Sequence, residues 1–357
     1  MPDHDQRREV KHIGMDLHST TTDICVRDRR GKIIHRSQIS TTPAELENFI
    51  RKVRGKKRVA VEESPIADWV TRVLKPHVDE VIRAQPRFNK LISKSEDKCD
   101  KTDCEALSDL LYLNRLKPVY HPNSLYKTLR EAVRAYWIAS RELSRAKNRV
   151  KAFFLSYGMH EAGKKIYSVR NRNRILHKLE ELNGNVALAQ LFYERMDLCR
   201  QLKAKHIHIM RDSAGSLKDS ISLLMTIPAI GPVSAYTLVA YLEEGQRIPN
   251  KRKLWRYSGL SLRRHQSGST QTEGASYTGN RRLKQVLISA ATKVAQSNNN
   301  ALAALWKKDI RRKVDPKRAR RNLARKIAVI AQHLLRARQE YSDARLTGIK
   351  KSSAHVA

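Results

Sequence analysis

The chain is poor in acidic and aromatic residues. Its 357 residues include 35 Asp and Glu against 71 Lys and Arg, which gives a formal net charge of +36 at pH 7. Aromatic residues make up 6% of the chain, which argues against a recognition surface built mainly on base stacking. Because so basic a protein attracts polyanions, the composition favours a nucleic-acid partner.

Cysteines and long apolar runs are also scarce. The four cysteines (Cys25, Cys99, Cys104 and Cys199) include no Cys-x-x-Cys pair and fit no zinc pattern. We expect ordinary thiols in a reducing compartment. No apolar run approaches the roughly 20 residues that span a bilayer, and residues 1–10 lack the apolar segment of a secretory signal. These absences predict a cytoplasmic protein with no membrane partner.

The length and composition predict several folded domains. Hydrophobic residues make up 40% of the chain, enough for real cores. Changes in pattern along the sequence suggest an α/β domain at 8–120, a helical coiled-coil arm at 121–216, a mainly α domain at 217–342 and a flexible tail at 343–357.

The first third alternates strands and helices in a recognisable order. Period-two patterns predict strands, and amphipathic patterns predict helices. The predicted strands are 11–18, 23–27, 33–39, 58–61 and 81–84, and the predicted helices are 42–53, 67–74 and 103–116. Three antiparallel strands followed by alternating helix and strand is the ribonuclease-H-like order, which Holliday-junction resolvases share.

Four acids stand at element ends in this predicted domain: Asp16, Glu62, Asp100 and Asp103. The fourth strand of such a sheet lies parallel beside the first, which would place Glu62 next to Asp16. Carboxylates gathered there would repel one another unless cations lie between them, and oxygen ligands suit Mg²⁺. Each acid alone is more typical of a cap or turn; the joint pattern predicts a site for two Mg²⁺ ions. Glu63 stays an alternative to Glu62.

Residues 223–242 (LLMTIPAIGPVSAYTLVAYL) predict two helices joined by a tight turn. The first helix stops at Ile227-Pro228, Gly231 allows the turn, and the second helix starts after Pro232. This pattern resembles a helix-hairpin-helix, whose backbone N–H groups bind phosphate without reading sequence. A plain helical hairpin is the alternative.

Ser267 lies in a polar, basic segment that we interpret as a loop. Arg263 and Arg264 precede it, Gly268 follows it, and Asn280, Arg281 and Arg282 lie beyond. A serine beside arginines can attack phosphorus, because guanidinium groups neutralise the developing charge. From the residues alone, a Ser/Gly turn on a nucleic-acid-binding face is the commoner explanation.

Six short motifs carry a family resemblance. In chain order they are GMDLH at 14–18, VAVEES at 59–64, KCDKTDCEAL at 98–107, IPAIGPVSA at 227–235, GLSLRRHQSG at 259–268 and GNRRLK at 279–284. Together they resemble the DEDD-type bacterial insertion-sequence transposases of the family numbered one hundred and ten, which includes bridge-RNA-guided recombinases. The ordered set is specific, although each motif alone is weak.

The resemblance implies roles for these residues. Asp16, Glu62, Asp100 and Asp103 would bind the metal ions, and Ser267 would attack DNA to form a phosphoserine link. It also implies a homodimer or homotetramer in which the helical arm supports assembly, and a guide RNA encoded by the element. The protein would then be a bacterial cytoplasmic protein associated with the nucleoid.

The sequence departs from the family pattern in three places. Glu63-Ser64-Pro65 follows the glutamate where a small residue, Thr and Gly are usual, and Gly-Leu-Ser-Leu stands before the serine segment instead of Gly-Leu-Ala-Pro. Lys98-Cys99 precedes Asp100 where Lys-Thr is usual, which allows a rival register on 101–103. The three-residue spacing and the following Ala106-Leu107 favour Asp100 and Asp103.

These patterns predict a DNA transposase or recombinase that cuts and rejoins strands with Mg²⁺ and a serine nucleophile. A metal-dependent Holliday-junction resolvase or nuclease without a covalent intermediate is the first alternative. A nucleic-acid-binding protein with purely structural acids is the second.

Overall fold

The computed structural model describes residues 9–85, 100–160, 165–267, 270–275, 279–297 and 300–344; for 100–102, 263–267 and 270–275 it describes the backbone alone. The chain forms two compact units, Met1–His121 and Pro122–Ala357. No helix in the described ranges is both long enough and apolar enough to cross a membrane. The predicted boundary at 216 and the predicted tail at 343–357 stay predictions.

The first unit contains every strand and helix that the sequence predicts for it, with shifted ends. Strand β2 begins at Thr21, two residues before its predicted start, and the helix predicted at 103–116 begins at Asp100 and ends at Tyr112. The elements are β1 Val10–Leu17, β2 Thr21–Arg27, β3 Ile33–Ser40, α1 Pro43–Lys52, β4 Lys56–Glu62, α2 Ala67–Leu74, β5 Glu80–Ala84 and α3 Asp100–Tyr112.

These strands form one mixed sheet in the order β3-β2-β1-β4-β5. β2 pairs antiparallel with both β1 and β3. β4 pairs parallel with both β1 and β5. A central β1 between an antiparallel meander and parallel strands is compatible with the predicted ribonuclease-H-like fold.

The two faces of the sheet are covered differently because residues alternate along each strand. On one face, Ile13, Met15, Val59 and Val61 pack with residues of α1 and α2. On the other face, α3 packs through Leu107 and Leu111 against Ala60 and Ala84. The acidic residues at the strand ends lie on this second face.

The second unit is mainly helical, as predicted. Its helices are α4 Ser124–Ser156, α5 Arg172–Glu181, α6 Val186–Asp212, α7 Lys218–Met225, α8 Pro232–Leu242, α9 Lys251–Tyr257, α10 Arg281–Ala295, α11 Ala301–Arg311 and α12 Pro316–Ala337. It also has two strands, β6 Leu262–Ser267 and β7 Thr270–Ala275.

Two apolar clusters hold this unit together. One joins the beginning of α4 to residues of α7, α8, α10 and α12, and includes Leu129, Leu238, Leu287 and Ile327. The other joins the remainder of α4 to α5 and α6. The two long helices α4 and α6 pack together. Coiled-coil geometry in the arm and a helix-hairpin-helix at α7–α8 stay predictions.

Candidate metal centre and nucleic-acid interface

Asp16 lies near the end of β1 on the sheet face that α3 covers. It is directly opposite Asp23 of β2 in the antiparallel register. Asp16 is 8% exposed and Asp23 is 6% exposed. Two carboxylates that face each other in a buried position repel one another, which favours a cation beside them.

His18 and Gln38 lie against this pair. His18 Nε2 is 3.3 Å from Asp16 Oδ2 and 3.9 Å from Asp23 Oδ2. Gln38 Nε2 donates to both carboxylate oxygens of Asp23, at 3.1 and 3.2 Å. Gln38 therefore holds the Asp23 carboxylate in place at the end of the sheet, and His18 lies beside both carboxylates.

Glu62 ends β4 beside Asp16. Met15 pairs with Val61 in the parallel register of β1 and β4, so Asp16 and Glu62 are the next residues on neighbouring strands. Glu63 follows on the opposite side of the strand: its Oε2 lies 3.7 Å from His121 Nε2, and its N–H donates to Ala84 O at 3.0 Å. Register thus favours Glu62 over Glu63 as the partner of Asp16.

Helix α3 reaches the acids because β1 carries a glycine beneath it. A Cβ at Gly14 would collide with the carbonyl oxygen of Cys104 and would lie 2.6 Å from Ser108 N. The first turns of α3 therefore rest directly on the β1 backbone. Asp100 begins the helix and Asp103 is exposed on its first turn.

Cys104 follows that first turn in α3 and lies close to the acids. It is 3% exposed. Burial, followed by the nearby Cys25, Asp23, Glu105 and Asp16, raises the pKa of its thiol to about 12. A thiol with so high a pKa stays protonated and packs as a small apolar group.

The donor chemistry suits a hard divalent cation, because the acids offer carboxylate oxygens. Within the described ranges, no three His, Cys, Asp or Glu side chains come close enough together to hold a metal ion. The side chain of Asp100, the third predicted ligand, lies outside the described part of the chain. The predicted four-acid metal site therefore stays a prediction.

The segment around Ser267 is a β-hairpin, which corrects our interpretation of it as a loop. Ser267 is the last residue of β6 and pairs with Thr270 of β7, while Arg263 pairs with Gly274 and Arg264 with Glu273. Gly268 lies outside the described residues, as do the side chains of Ser267 and the two arginines. The pairing places Ser267 at the end of β6.

The base of this hairpin is fixed by close backbone contacts. A Cβ at Gly279 would lie 2.6 Å from Gly259 N and 2.8 Å from Arg256 O, and Gly279 has a φ of +116°. Asn280 N donates to Tyr257 O at 2.7 Å. The chain that enters β6 and the chain that leaves the hairpin segment are therefore held together.

The predicted phosphate-binding residues that follow the hairpin begin helix α10. Asn280 is its N-cap, and Asn280 Oδ1 accepts from Arg282 N at 3.0 Å and from Leu283 N at 3.1 Å. Arg281 is exposed and Arg282 is half-buried in the first turn. Two guanidinium groups at a helix N-terminus suit an anion, because the helix dipole adds to their charge.

Gly231 is the N-cap of α8, but the turn does not need a glycine there. Its φ is −93°, and a Cβ would meet nothing within 4 Å. The left-handed residue of this turn is Ala229, at φ 67°. Open space over Gly231 is compatible with a close approach of phosphate to the backbone.

Sequence reasoning missed Asp23, because the register across the β1–β2 turn decides which residue opposes Asp16. A symmetric pairing about the short turn after Leu17 would have found it. Gln38 follows from the same register on β3.

Comparison with known proteins gives two family matches in chain order. Residues 13–159 match the IS110 DEDD transposase family, described as a transposase. Residues 221–307 match the family described as Transposase IS116/IS110/IS902. The first match contains all four predicted acids, and the second contains Ser267.

Three relatives are similar to this chain over most of its length and most of their own. The transposase for insertion sequence element IS1328 of Yersinia enterocolitica is 24% identical over 290 residues, covering 79% of this chain and 83% of the relative. A probable family 20 transposase of Pseudomonas aeruginosa is 24% identical over 312 residues, 83% and 88% of the two chains. The protein y4qE of Sinorhizobium fredii, also named as a transposase, is 22% identical over 285 residues, 78% and 70% of the two chains. The chain therefore belongs to the IS110 family of DEDD transposases and is a DNA transposase.

Proposed function

We propose that this transposase cuts and rejoins DNA strands with Mg²⁺ held by Asp16, Glu62, Asp100 and Asp103. Membership of a DEDD family implies divalent cations, and the choice of Mg²⁺ rests on the all-oxygen donor set. The main support is the adjacency of Asp16 and Glu62 at the ends of parallel strands, with α3 seated on Gly14 beside them.

Each group of residues at the acidic site has a separate proposed role. Asp16, Glu62, Asp100 and Asp103 would bind the cations, and Gln38 orients the neighbouring Asp23 carboxylate. Bound Mg²⁺ would stabilise negative charge on the phosphoryl oxygens during strand cleavage. The buried position of Asp16 and Asp23 limits access of water to that side of the site.

Ser267 is the proposed nucleophile. Its Oγ forms a bond to phosphorus while the bond to the leaving sugar oxygen breaks, and the hydroxyl proton ends on that oxygen. A free DNA hydroxyl later reverses the exchange and rejoins the strand. The fixed base of the hairpin supports this role, because a nucleophile needs a defined position relative to its phosphate.

The remaining predicted residues would hold DNA near that serine. Arg263, Arg264, Arg281 and Arg282 supply positive charge, and Asn280 fixes the turn that carries the last two. Gly231 and Gly268 would let phosphate approach the backbone. None of these contacts reads a base, so target choice needs another source.

We propose that an element-encoded guide RNA supplies that choice. The net charge of +36 supports a second polyanion. The expected result is a defined RNA from the flank of the gene that copurifies with the protein after nuclease treatment of the lysate. Recovery of only heterogeneous cellular RNA would remove the guide from the proposal.

Assembly of two or four copies is proposed through the outer face of α6. Five large apolar side chains are exposed there: Leu188, Leu191, Leu198, Leu202 and Ile209. Two pairs are seven residues apart, Leu191 with Leu198 and Leu202 with Ile209, which is the spacing of a helix–helix seam. Replacing Leu191 and Leu198 by Gln should shift the protein to a monomer in light scattering, while the same change at exposed Lys178 should not.

Trapping the covalent intermediate tests the serine mechanism. DNA end-labelled on either side of the cleavage site is incubated with protein and Mg²⁺, then denatured. The proposal expects a protein–DNA adduct that Ser267→Ala abolishes and Ser258→Ala, a neighbouring buried serine that bonds Leu254 O, retains. Cleavage without any adduct would favour the resolvase-like alternative, in which activated water attacks.

A further inference from the structure

A groove between α11 and α12 lies outside the residues assigned above. It encloses about 320 Å³, near the lower end of small-ligand pockets, which start at roughly 300 Å³. Trp306, Lys308 and Asp309 line it from α11, Arg312 lines it from the residue after that helix, and Asn322 and Lys326 line it from α12. The groove thus combines one large flat ring with three cationic side chains and one carboxylate.

The ring is held in a fixed orientation. Trp306 is half-buried and packs against the main apolar cluster of the second unit. Across the groove, Asn322 Nδ2 donates to Asp309 Oδ2 at 3.1 Å, which ties the two helices together beside the indole. A preformed aromatic surface costs little ordering entropy when a second ring stacks on it.

The surrounding charge identifies the class of occupant. Residues 301–326 contain eleven Lys and Arg against two Asp. Lys308 and Arg312 are exposed, and Lys326 is half-exposed. Cations of this density attract phosphates, whereas an indole between them adds little to binding of a regular duplex, whose base faces are already stacked.

We propose that this groove binds an unpaired DNA strand, with one base stacked on Trp306 and its flanking phosphates on Lys308, Arg312 and Lys326. Such strands arise whenever a transposase opens its DNA, so the inference rests on the DNA substrate and not on the role of Ser267. It adds a holding site for a displaced strand. The aromatic–base contact would supply affinity without sequence preference.

Photocrosslinking tests the contact directly. A twelve-nucleotide oligothymidylate with one 5-iododeoxyuridine is irradiated with the full-length protein, and tryptic peptides are mapped. The expected adduct lies in the peptide 294–307, in which Trp306 is the only aromatic residue. Adducts confined to other peptides would overturn the proposal.

Equilibrium binding measurements on variants separate the contribution of base stacking from the contribution of the cationic side chains. Trp306→Leu should weaken binding of the single strand roughly tenfold, with an unchanged salt dependence and little effect on a duplex of equal length. Trp306→Tyr should retain most of the affinity. Lys308→Gln and Lys326→Gln should each lower the slope of log K against log salt by about 0.7, and Lys178→Gln, an exposed lysine elsewhere, should not.

The remaining outcomes are equally decisive. Thermal melting of each variant shows whether a loss of binding reflects unfolding, and Trp306→Tyr serves as the folded comparison if Trp306→Leu melts early.

Tighter binding of an oligouridylate RNA than of DNA would overturn the assignment to DNA. Equal loss of duplex binding in Trp306→Leu, or displacement of the oligonucleotide by polyglutamate at equal charge, would overturn the stacking model. A failure here leaves the Ser267 adduct unaffected, so the two proposals fail separately.

Discussion

Gly14 of β1 lies directly under the carbonyl oxygen of Cys104 in α3, with no room for a Cβ between the two backbones. This contact sets the distance between the strand that carries Asp16 and the helix that carries Asp100 and Asp103. The acids of the site therefore depend on the absence of a side chain two residues before Asp16.

Gly14→Ala is expected to lower the free energy of unfolding by about 3 kcal/mol, because overpacking against backbone cannot be relieved by a rotamer change. Chemical denaturation measures the change. Gly231→Ala is the matched control, since its φ is −93° and the space around it is open. A Gly14→Ala protein as stable as wild type would show that α3 does not rest on β1 as described.

Asp23→Asn should stabilise the cation-free protein and reduce the stabilisation that Mg²⁺ provides. The reason is that Asp23 opposes Asp16 on the buried face, so one negative charge fewer lessens repulsion and also lessens attraction for a cation. Thermal melting with and without Mg²⁺ gives both effects. Asp109→Asn, which removes a half-exposed carboxylate 3.7 Å from Arg27, should leave the Mg²⁺ effect intact. An unchanged Mg²⁺ response in Asp23→Asn would exclude Asp23 from the ion's surroundings.

The Cys104 thiol should resist alkylation in the native state. It is buried and its pKa is raised to about 12 from 9.0, whereas Cys199 is half-exposed. With iodoacetamide at pH 8, peptide mapping should find Cys199 modified well before Cys104. Rapid labelling of Cys104 in folded protein would contradict its burial on the sheet-facing side of α3.

The same pKa shift has a consequence for stability at high pH. The thiol ionises above pH about 9 in the unfolded chain but stays protonated in the folded protein up to about 12. Its contribution to stability is therefore complete below pH 9 and is lost as the pH rises from 9 to 12. Denaturation at pH 8 and pH 10.5 should show a smaller alkaline loss in Cys104→Ala than in wild type.

A buried ion pair anchors α4 in the second unit. Arg130 Nη2 lies 2.6 Å from Glu243 Oε1, and Arg130 Nε donates to Ala240 O at 2.6 Å. Arg130→Ala should cost about 3 kcal/mol, because Glu243 would be left buried without its main partner. Arg134→Ala, one turn along and exposed, should cost less than about 0.5 kcal/mol. Equal costs would show that the pair contributes nothing specific.

Asn280 has a capping role that can be separated from DNA contact. Asn280→Ala should lower stability by about 1 kcal/mol through loss of the α10 cap, and Asn280→Ser should restore most of it. If Asn280 only fixes Arg281 and Arg282, the Ser variant should also recover DNA affinity in a filter-binding or anisotropy assay. Weak binding by a fully stable Ser variant would indicate a direct contact to DNA through the amide.

The sequence predicts the elements of the first unit because each strand alternates apolar and polar residues and each helix has one apolar face. It also predicts that Asp16 and Glu62 are neighbours, since parallel strands end at the same edge. Asp23 and Gln38 do not follow from that argument, because the antiparallel register of β1, β2 and β3 places them, and we did not work out that register from the sequence. The close packing of α3 against the β1 backbone at Gly14 could not be predicted either, because a glycine in a strand has several explanations.

The hairpin around Ser267 escaped sequence reasoning for a different physical reason. Its strands read LRRHQS and TQTEGA, which lack the apolar alternation of a half-buried strand. Backbone pairing and the anchored base define it instead. The turn before α8 shows the same limit, since its left-handed residue is Ala229 and not the glycine that attracts attention.

A comparison of cation binding between variants of two adjacent glutamates tests the central claim most directly. Titration of Mn²⁺, followed by electron paramagnetic resonance, compares wild type with Glu62→Gln and Glu63→Gln, which differ by one position but lie on opposite sides of β4. The account predicts that Glu62→Gln loses cation binding and strand transfer together, while Glu63→Gln keeps both. Full Mn²⁺ binding in Glu62→Gln, or its loss in Glu63→Gln alone, would contradict it.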